Sequence, residues 1–294
     1  MVTTPLSDLP ADGRITGVAD TALWVAAYRA QETKRPDSVL TDSLADILAG
    51  RRGAAIARKM PRARLTAWSV LVRTCAIDRL ITEALACGID TVINLGAGLD
   101  TRPYRLPLPR TLRWVEVDLP TLIDYKNARL ADQRPRCELI RMGADLQETH
   151  TRKALFDRMH LGKAKVLVIT EGVLPYFSVS EVFSLASELH SLSGICCWIQ
   201  DFENAGPRSM PRAWRRRLSA APLIFSVRDW FEFFGKSGWA ASSIITSGDE
   251  SLRLKRRYPA AFPLGLLMKC LPQELQKTIL DASGAVLLRK SAET

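Results

Sequence analysis

Residues that hold metals or form disulfide frameworks are scarce in this chain and badly placed for either task. Its three histidines, His150, His160 and His190, do not cluster with its six cysteines. No pair among Cys75, Cys87, Cys137, Cys196, Cys197 and Cys270 has C-x-x-C spacing, and Cys196 and Cys197 are adjacent. Neither a zinc site nor a disulfide scaffold is expected, and free thiols in a reducing cytoplasm are the simplest reading. No apolar run reaches the roughly 18–20 residues of a membrane span. The opening MVTTPLSDLPADGR lacks the apolar core of a secretory signal. A cytoplasmic chain without a membrane partner is therefore expected. Internal repeats and low-complexity tracts are also lacking.

What is present is ordinary for a packed globular protein: 294 residues, 47% apolar and 24% charged, with seven Trp and nine Phe. The net charge of +10, from 41 basic and 31 acidic residues, favours an anionic partner. A nucleic acid, a membrane surface or an acidic small molecule would each fit that charge. Residues 19–86 have helical patterning. Asp20 is placed to cap a helix through Ala30, Asp42 one that stops at Gly50, and Pro61 opens a third that ends at Gly88. In the third, Leu65, Trp68, Leu71, Val72 and Cys75 recur on one face, which is expected to be buried. Strands then read at Thr91–Leu95, Leu112–Val117, Cys137–Arg141, Lys165–Thr170, Gly194–Gln200 and Ala285–Arg289. Helices separate most of them. The clearest spans Val179–Leu192, opened by a Ser178/Glu181 capping box. This alternation implies an α/β, doubly wound, mainly parallel sheet covered on both faces. The Pro- and Arg-rich stretch 205–222 and the basic-then-apolar stretch 251–272 look like insertions or a lid over the carboxyl edge of the sheet.

Four motifs carry chemistry. The first strand runs into Gly96-Ala97-Gly98, where glycine lets backbone pass close to a ligand. The second ends at Asp118, 20 residues after Gly98, the spacing at which an acid accepts hydrogen bonds from a ribose diol. Glu116, on the same strand face, is its rival. A dinucleotide fingerprint would need glycine at position 101, which is Thr101, so a pyrophosphate is disfavoured and a nucleoside without phosphates, such as S-adenosylmethionine, fits better. Asp145-Leu146 after the third strand could bond and pack an adenine; Asp145 reads equally well as a helix cap. Glu171 and Tyr176 follow the fourth strand, where open α/β sheets bind ligands. Glu171 would face the sulfonium or ammonium of the donor, or else pair with an arginine.

Taken in order, NLGAGLDTRPYRL, EVDLP, GADL and TEGVLPYF resemble the leucine carboxyl methyltransferase family, in the branch of bacterial polyketide O-methyltransferases. TALWVAAYRAQETKRPDSVLTDSLADILAG and Val72-Arg73-Thr74 are similar to it too, so the resemblance covers roughly residues 18–205. It implies a seven-stranded class I methyltransferase sheet with N-terminal helices and a lid insertion. It also implies that Gly96, Ala97 and Gly98 line S-adenosyl-L-methionine, Asp118 holds its ribose, and Asp145 and Leu146 contact its adenine. Glu171 would sit by the methionine moiety and Arg73 would pair with its carboxylate, with Arg29 as a second candidate. Cys75 stands where relatives often carry a basic residue. The implied organisation is a flexible tail (1–18) and a single domain (19–294), made of a helical cap (19–88), a cofactor-binding core (89–204) and a lid with the last sheet elements (205–294).

A carboxylate acceptor is already ionised at pH 7 and needs no general base, whereas a phenol near pKa 10 does. No histidine falls in the motifs, so carboxyl methylation of a small or polyketide-like acid is preferred. Tyr176 and Arg73 would orient the reactants, and Arg102, Arg105 or an arginine of 208–217 would hold the acceptor. Two other readings stand beside it. One is an RNA- or tRNA-directed methyltransferase, which the arginine runs at 51–64, 208–217 and 253–257 would serve, although no nucleic-acid-binding module is visible. The other is a non-catalytic protein that binds an adenosine ligand.

Overall fold

The computed structural model describes Leu6 and residues 9–159, 161–204, 211–259 and 272–291. Seven strands form one sheet in the order β3-β2-β1-β4-β5-β7-β6. They are β1 (Thr91–Leu95), β2 (Arg113–Asp118), β3 (Glu138–Gly143), β4 (Val166–Thr170), β5 (Ile195–Glu203), β6 (Trp239–Thr246) and β7 (Ser283–Lys290). The first five are parallel, and β7 lies antiparallel between β5 and β6. The chain winds outward from β1 through β2 to β3, then returns to place β4 on the other side of β1. A crevice therefore opens beyond the carboxyl ends of β1 and β4, where such sheets take ligands.

Side chains alternate cleanly between two cores. Ile93, Val115, Val117, Val166 and Val168 face one layer, while Val92, Trp114, Leu167 and Ile169 face the other. Both β1 and β4 are buried along their whole length, as interior parallel strands require. The second layer is covered by Ile77, Leu80, Ile81 and Ala84 of α3 (Ala63–Ala86). The first is covered by α6 (Thr149–Met159), α7 (Val179–Ser191) and α9 (Trp230–Gly235). Helix α7 begins with the expected capping box: Glu181 N donates to Ser178 Oγ and Ser178 N to Glu181 Oε2.

The N-terminal helices α1 (Ala19–Thr33) and α2 (Ala45–Arg58) pack together beside this sheet. Here the structure corrects three expectations. Asp20 does not cap α1: it is buried and receives Arg52 Nε and Nη2, both at 2.7 Å, because the pair can lose water only together. The second helix breaks at Gly50 (φ 56°, ψ −170°) as read, but resumes to Arg58, with Asp42 Oδ1 accepting from Ala45 N at its start. The stretch before residue 19 is docked rather than loose where it is described. Ile15 is buried, Arg52 donates to the carbonyls of Pro10 and Arg14, and Lys59 donates to that of Asp12. The strand β6 has no counterpart among the strands read from sequence. It is an edge strand, exposed over much of its length and bulged between Ala241 and Ser243, which erases the alternation that marks a strand. Among the described residues no helix is long and apolar enough to cross a membrane, and no cluster of potential metal ligands occurs.

Candidate functional site

The chain leaves β1 in a turn with Gly96 at φ 69° and Gly98 at φ 49°, backbone that an L side chain adopts only with strain. Gly96 N and Ala97 N donate to the Val117 carbonyl at 2.8 and 3.0 Å, drawing the turn across the end of β2. Asp118 closes the arrangement: Gly98 N donates to Oδ2 at 2.6 Å and Leu119 N to Oδ1 at 2.7 Å. Burial pushes its carboxyl above the ordinary range despite those two bonds. Glu116 is excluded from this role by position. It is fully buried, 2.8 Å from both Lys126 and Arg141, and does not line the crevice.

That crevice is a cavity of about 710 Å³, and the residues expected to bind the donor or orient the reactants line it: Arg73, Gly96, Ala97, Gly98, Asp118, Asp145, Leu146, Glu171 and Tyr176. Asp145 does not cap α6, which starts at Thr149; its Oδ1 receives Gln147 N at 2.9 Å and shapes the turn before that helix. Leu146 is fixed from behind by the fully buried Arg152, which donates to its carbonyl at 2.6 Å and is paired with Glu188. Tyr176 ends a short 3-10 turn, Leu174–Tyr176, and burial pushes its phenol up.

Glu171, at the end of β4, accepts from Arg73 Nε at 3.0 Å and Arg102 Nη1 at 2.8 Å. Burial alone would raise its pKa, but the two guanidinium groups outweigh burial and hold it below the ordinary range. Arg102, in α4 (Arg102–Arg105), is the hub: fully buried, it also pairs with Asp78 at 2.6 Å and Asp100 at 2.9 Å. Arg105 pairs with Asp78, and Arg29 with Asp42 and the Leu99 carbonyl. The arginines expected to hold an acceptor are thus largely engaged by acids of the chain itself.

Two residues escaped the sequence reading. Asp201 and Glu203 project from the end of β5 into the cavity. Asp201 binds Gly172 N at 2.8 Å and Arg73 Nη1 at 3.2 Å. Burial raises both carboxyls, and Asp201 adds to the effect on Glu203. Their signal was an acid closing a strand, as at Asp118, but the strand read from sequence stopped at Gln200, before them. Leu65 and Trp68, expected in the core, are half-buried and line the cavity instead.

The residues suit a nucleoside carrying a cationic centre. Glycine turns open the wall, Asp118 stands beside them, and acids outnumber the guanidinium groups nearby. Asn94 Oδ1, on a lining residue, is buried without a hydrogen-bond partner. Fold and site together define a class I, S-adenosylmethionine-binding arrangement. The profile describing leucine carboxyl methyltransferases matches residues 22–190. A Parafrankia protein assigned by its name to the S-adenosyl-L-methionine-dependent methyltransferases is 35% identical over 272 residues, 84% of each chain. A Streptomyces avermitilis protein named in the same way is 34% identical over 60% of this chain and 66% of its own. In fold, the chain is similar to crystal structures of a duf574 family protein from Streptomyces avermitilis (TM-score 0.56, 16% identity, 90% and 96% covered) and of a protein from Thermobifida fusca named as a methyltransferase (TM-score 0.56, 15% identity, 99% and 100% covered). The chain belongs to the leucine carboxyl methyltransferase family, and it is an S-adenosylmethionine-dependent methyltransferase.

Proposed function

We propose that this enzyme methylates a carboxylate of a small, largely apolar acid by in-line displacement. The observation that carries the reading is one continuous cavity. Gly96, Gly98, Asp118, Asp145, Leu146 and Glu171 line one part, and an apolar, aromatic wall with an exposed arginine, Arg62, lines another. On this reading the first group holds the donor by its ribose, adenine and methionine moiety, the donor supplies an electrophilic methyl group, and the acceptor lies along the second. The chain's own residues then position, exclude water and balance charge. Neither His150, exposed on α6, nor His190, packed on Trp239, lines the cavity. Tyr176 is held protonated by burial. An acceptor already ionised at neutral pH asks for no proton transfer.

One observation favours a hydroxyl acceptor instead. Glu203 lines the cavity with a raised pKa, the property of a weak general base. The two readings part on the product. With radiolabelled donor and a panel of carboxylic acids and phenols, carboxyl methylation gives label released by mild alkali and kept by Glu203→Gln. Alkali-stable label lost in Glu203→Gln would establish the hydroxyl reading, and label carried by tRNA would overturn both.

A further inference from the structure

We infer that the acceptor is elongated and carries a second anionic group at the end away from the methylated oxygen, bound by Arg62 at the cavity mouth. The inference rests on the carboxyl-methylation reading and deepens it. Helix α3 forms one wall of the cavity: Arg62 precedes its first turn, and Leu65, Ser69 and Arg73 follow along the same lining. Arg62 and Arg73 are eleven residues apart in sequence, so the wall runs for about 16 Å at the helical rise per residue.

The two ends differ in charge balance. At the inner end Arg73 is taken by Glu171 and Asp201, while Arg102 and Arg105 are taken by Asp78. At the outer end Arg62 is exposed and, among the described residues, has no carboxylate within ion-pair distance. Between them the lining is apolar and aromatic, with Leu65, Trp68, Trp214, Leu223 and Tyr258. A cation without a partner at the end of such a wall selects for an anionic terminus.

The mouth is also built to keep its shape. Arg62 holds left-handed backbone (φ 51°, ψ 47°), and the only other non-glycine residue with positive φ among those described is Lys255 (φ 53°), three residues before Tyr258. Strained backbone of this kind persists where surrounding contacts impose it. Next to Lys255 such contacts are visible: Trp68 Nε1 donates to the Arg256 carbonyl at 2.9 Å, and Arg256 pairs with Glu32 at 2.9 Å and Asp37 at 2.7 Å. Tyr258 then stands edge-on to Trp68 at 5.1 Å.

The test uses the full chain loaded with S-adenosylhomocysteine and titrated calorimetrically with dodecanedioate and with dodecanoate. Wild type should bind the dicarboxylate at least about tenfold more tightly. Arg62→Ala should erase that preference, and Arg62→Lys should keep part of it, an outcome that general loss of structure would not give. Equal affinities in wild type, a preference surviving in Arg62→Ala, or no binding of either acid would overturn the inference. Methyl transfer to the same two acids, assayed in parallel, reads the other proposal separately. Binding with the preference but without transfer would sink carboxyl methylation alone, and transfer without the preference would sink only the role of Arg62.

Discussion

At the scale of single residues, the contrast between Glu116 and Asp118 shows how little separates a structural acid from one available to a ligand. Both sit on one face of β2, two residues apart, yet Glu116 is sealed against Lys126 and Arg141 while Asp118 reaches the crevice. Calorimetry on Asp118→Ala should show a loss of about 1–3 kcal/mol in S-adenosylmethionine affinity, the cost of unpaired buried donors. Unchanged affinity would remove Asp118 from the donor site. Glu171 supplies a pH prediction. Its folded pKa lies below its ordinary value of 4.5 because Arg102 and Arg73 outweigh burial. The stabilisation it provides is complete above that value and is lost as pH falls through the depressed one. Acid unfolding of Glu171→Gln should therefore be less steep below about pH 4.5 than that of wild type. The Arg102 hub is the costliest position. Arg102→Met would leave Asp78, Asp100 and Glu171 crowded and under-paired, and chemical denaturation should register about 3–5 kcal/mol of lost stability.

At the scale of elements, interior strands were easy to read and edges were not. Thr91–Leu95 matches β1 residue for residue because a strand buried on both faces is mostly apolar and β-branched, and here the run ends sharply at Gly96. Half-exposed, bulged β6 has no such requirement. The three N-terminal helices and α7 are legible in the sequence, but the acid at the start of α1 is not: an aspartate at a helix start reads as a cap, and only the approach of α2 turns Asp20 into the partner of Arg52. That approach depends on Gly53, where an added Cβ would lie 2.5 Å from the Leu23 carbonyl oxygen in α1. Gly53→Ala should push the two helices apart and cost about 1–3 kcal/mol, measurable as a lowered thermal midpoint. An unshifted midpoint would mean that the helix pair has slack to absorb a methyl group.

At the scale of the whole molecule, the net charge of +10 says little about the site. Inside the cavity, acids match or exceed the arginines, and most of those arginines are held in ion pairs. Binding of the donor should draw on this preformed network and raise stability by mass action, by about 2.7 kcal/mol at a hundred times its dissociation constant. Thermal shifts with S-adenosylmethionine and S-adenosylhomocysteine, and none with NAD or NADP, are expected. A shift with the dinucleotides alone would contradict the reading of Thr101 as the residue that bars a pyrophosphate.

The sequence alone determined the sheet class, the glycine turn, the acid that follows it and the family, because these depend on local periodicity and fixed spacing. Tertiary structure decided which acid faces the crevice, which arginines are already neutralised, and that Asp201 and Glu203 join the site. Those outcomes depend on which side chains meet after β4 and β5 return beside β1 and α3 crosses above them, and no spacing along the chain records such meetings.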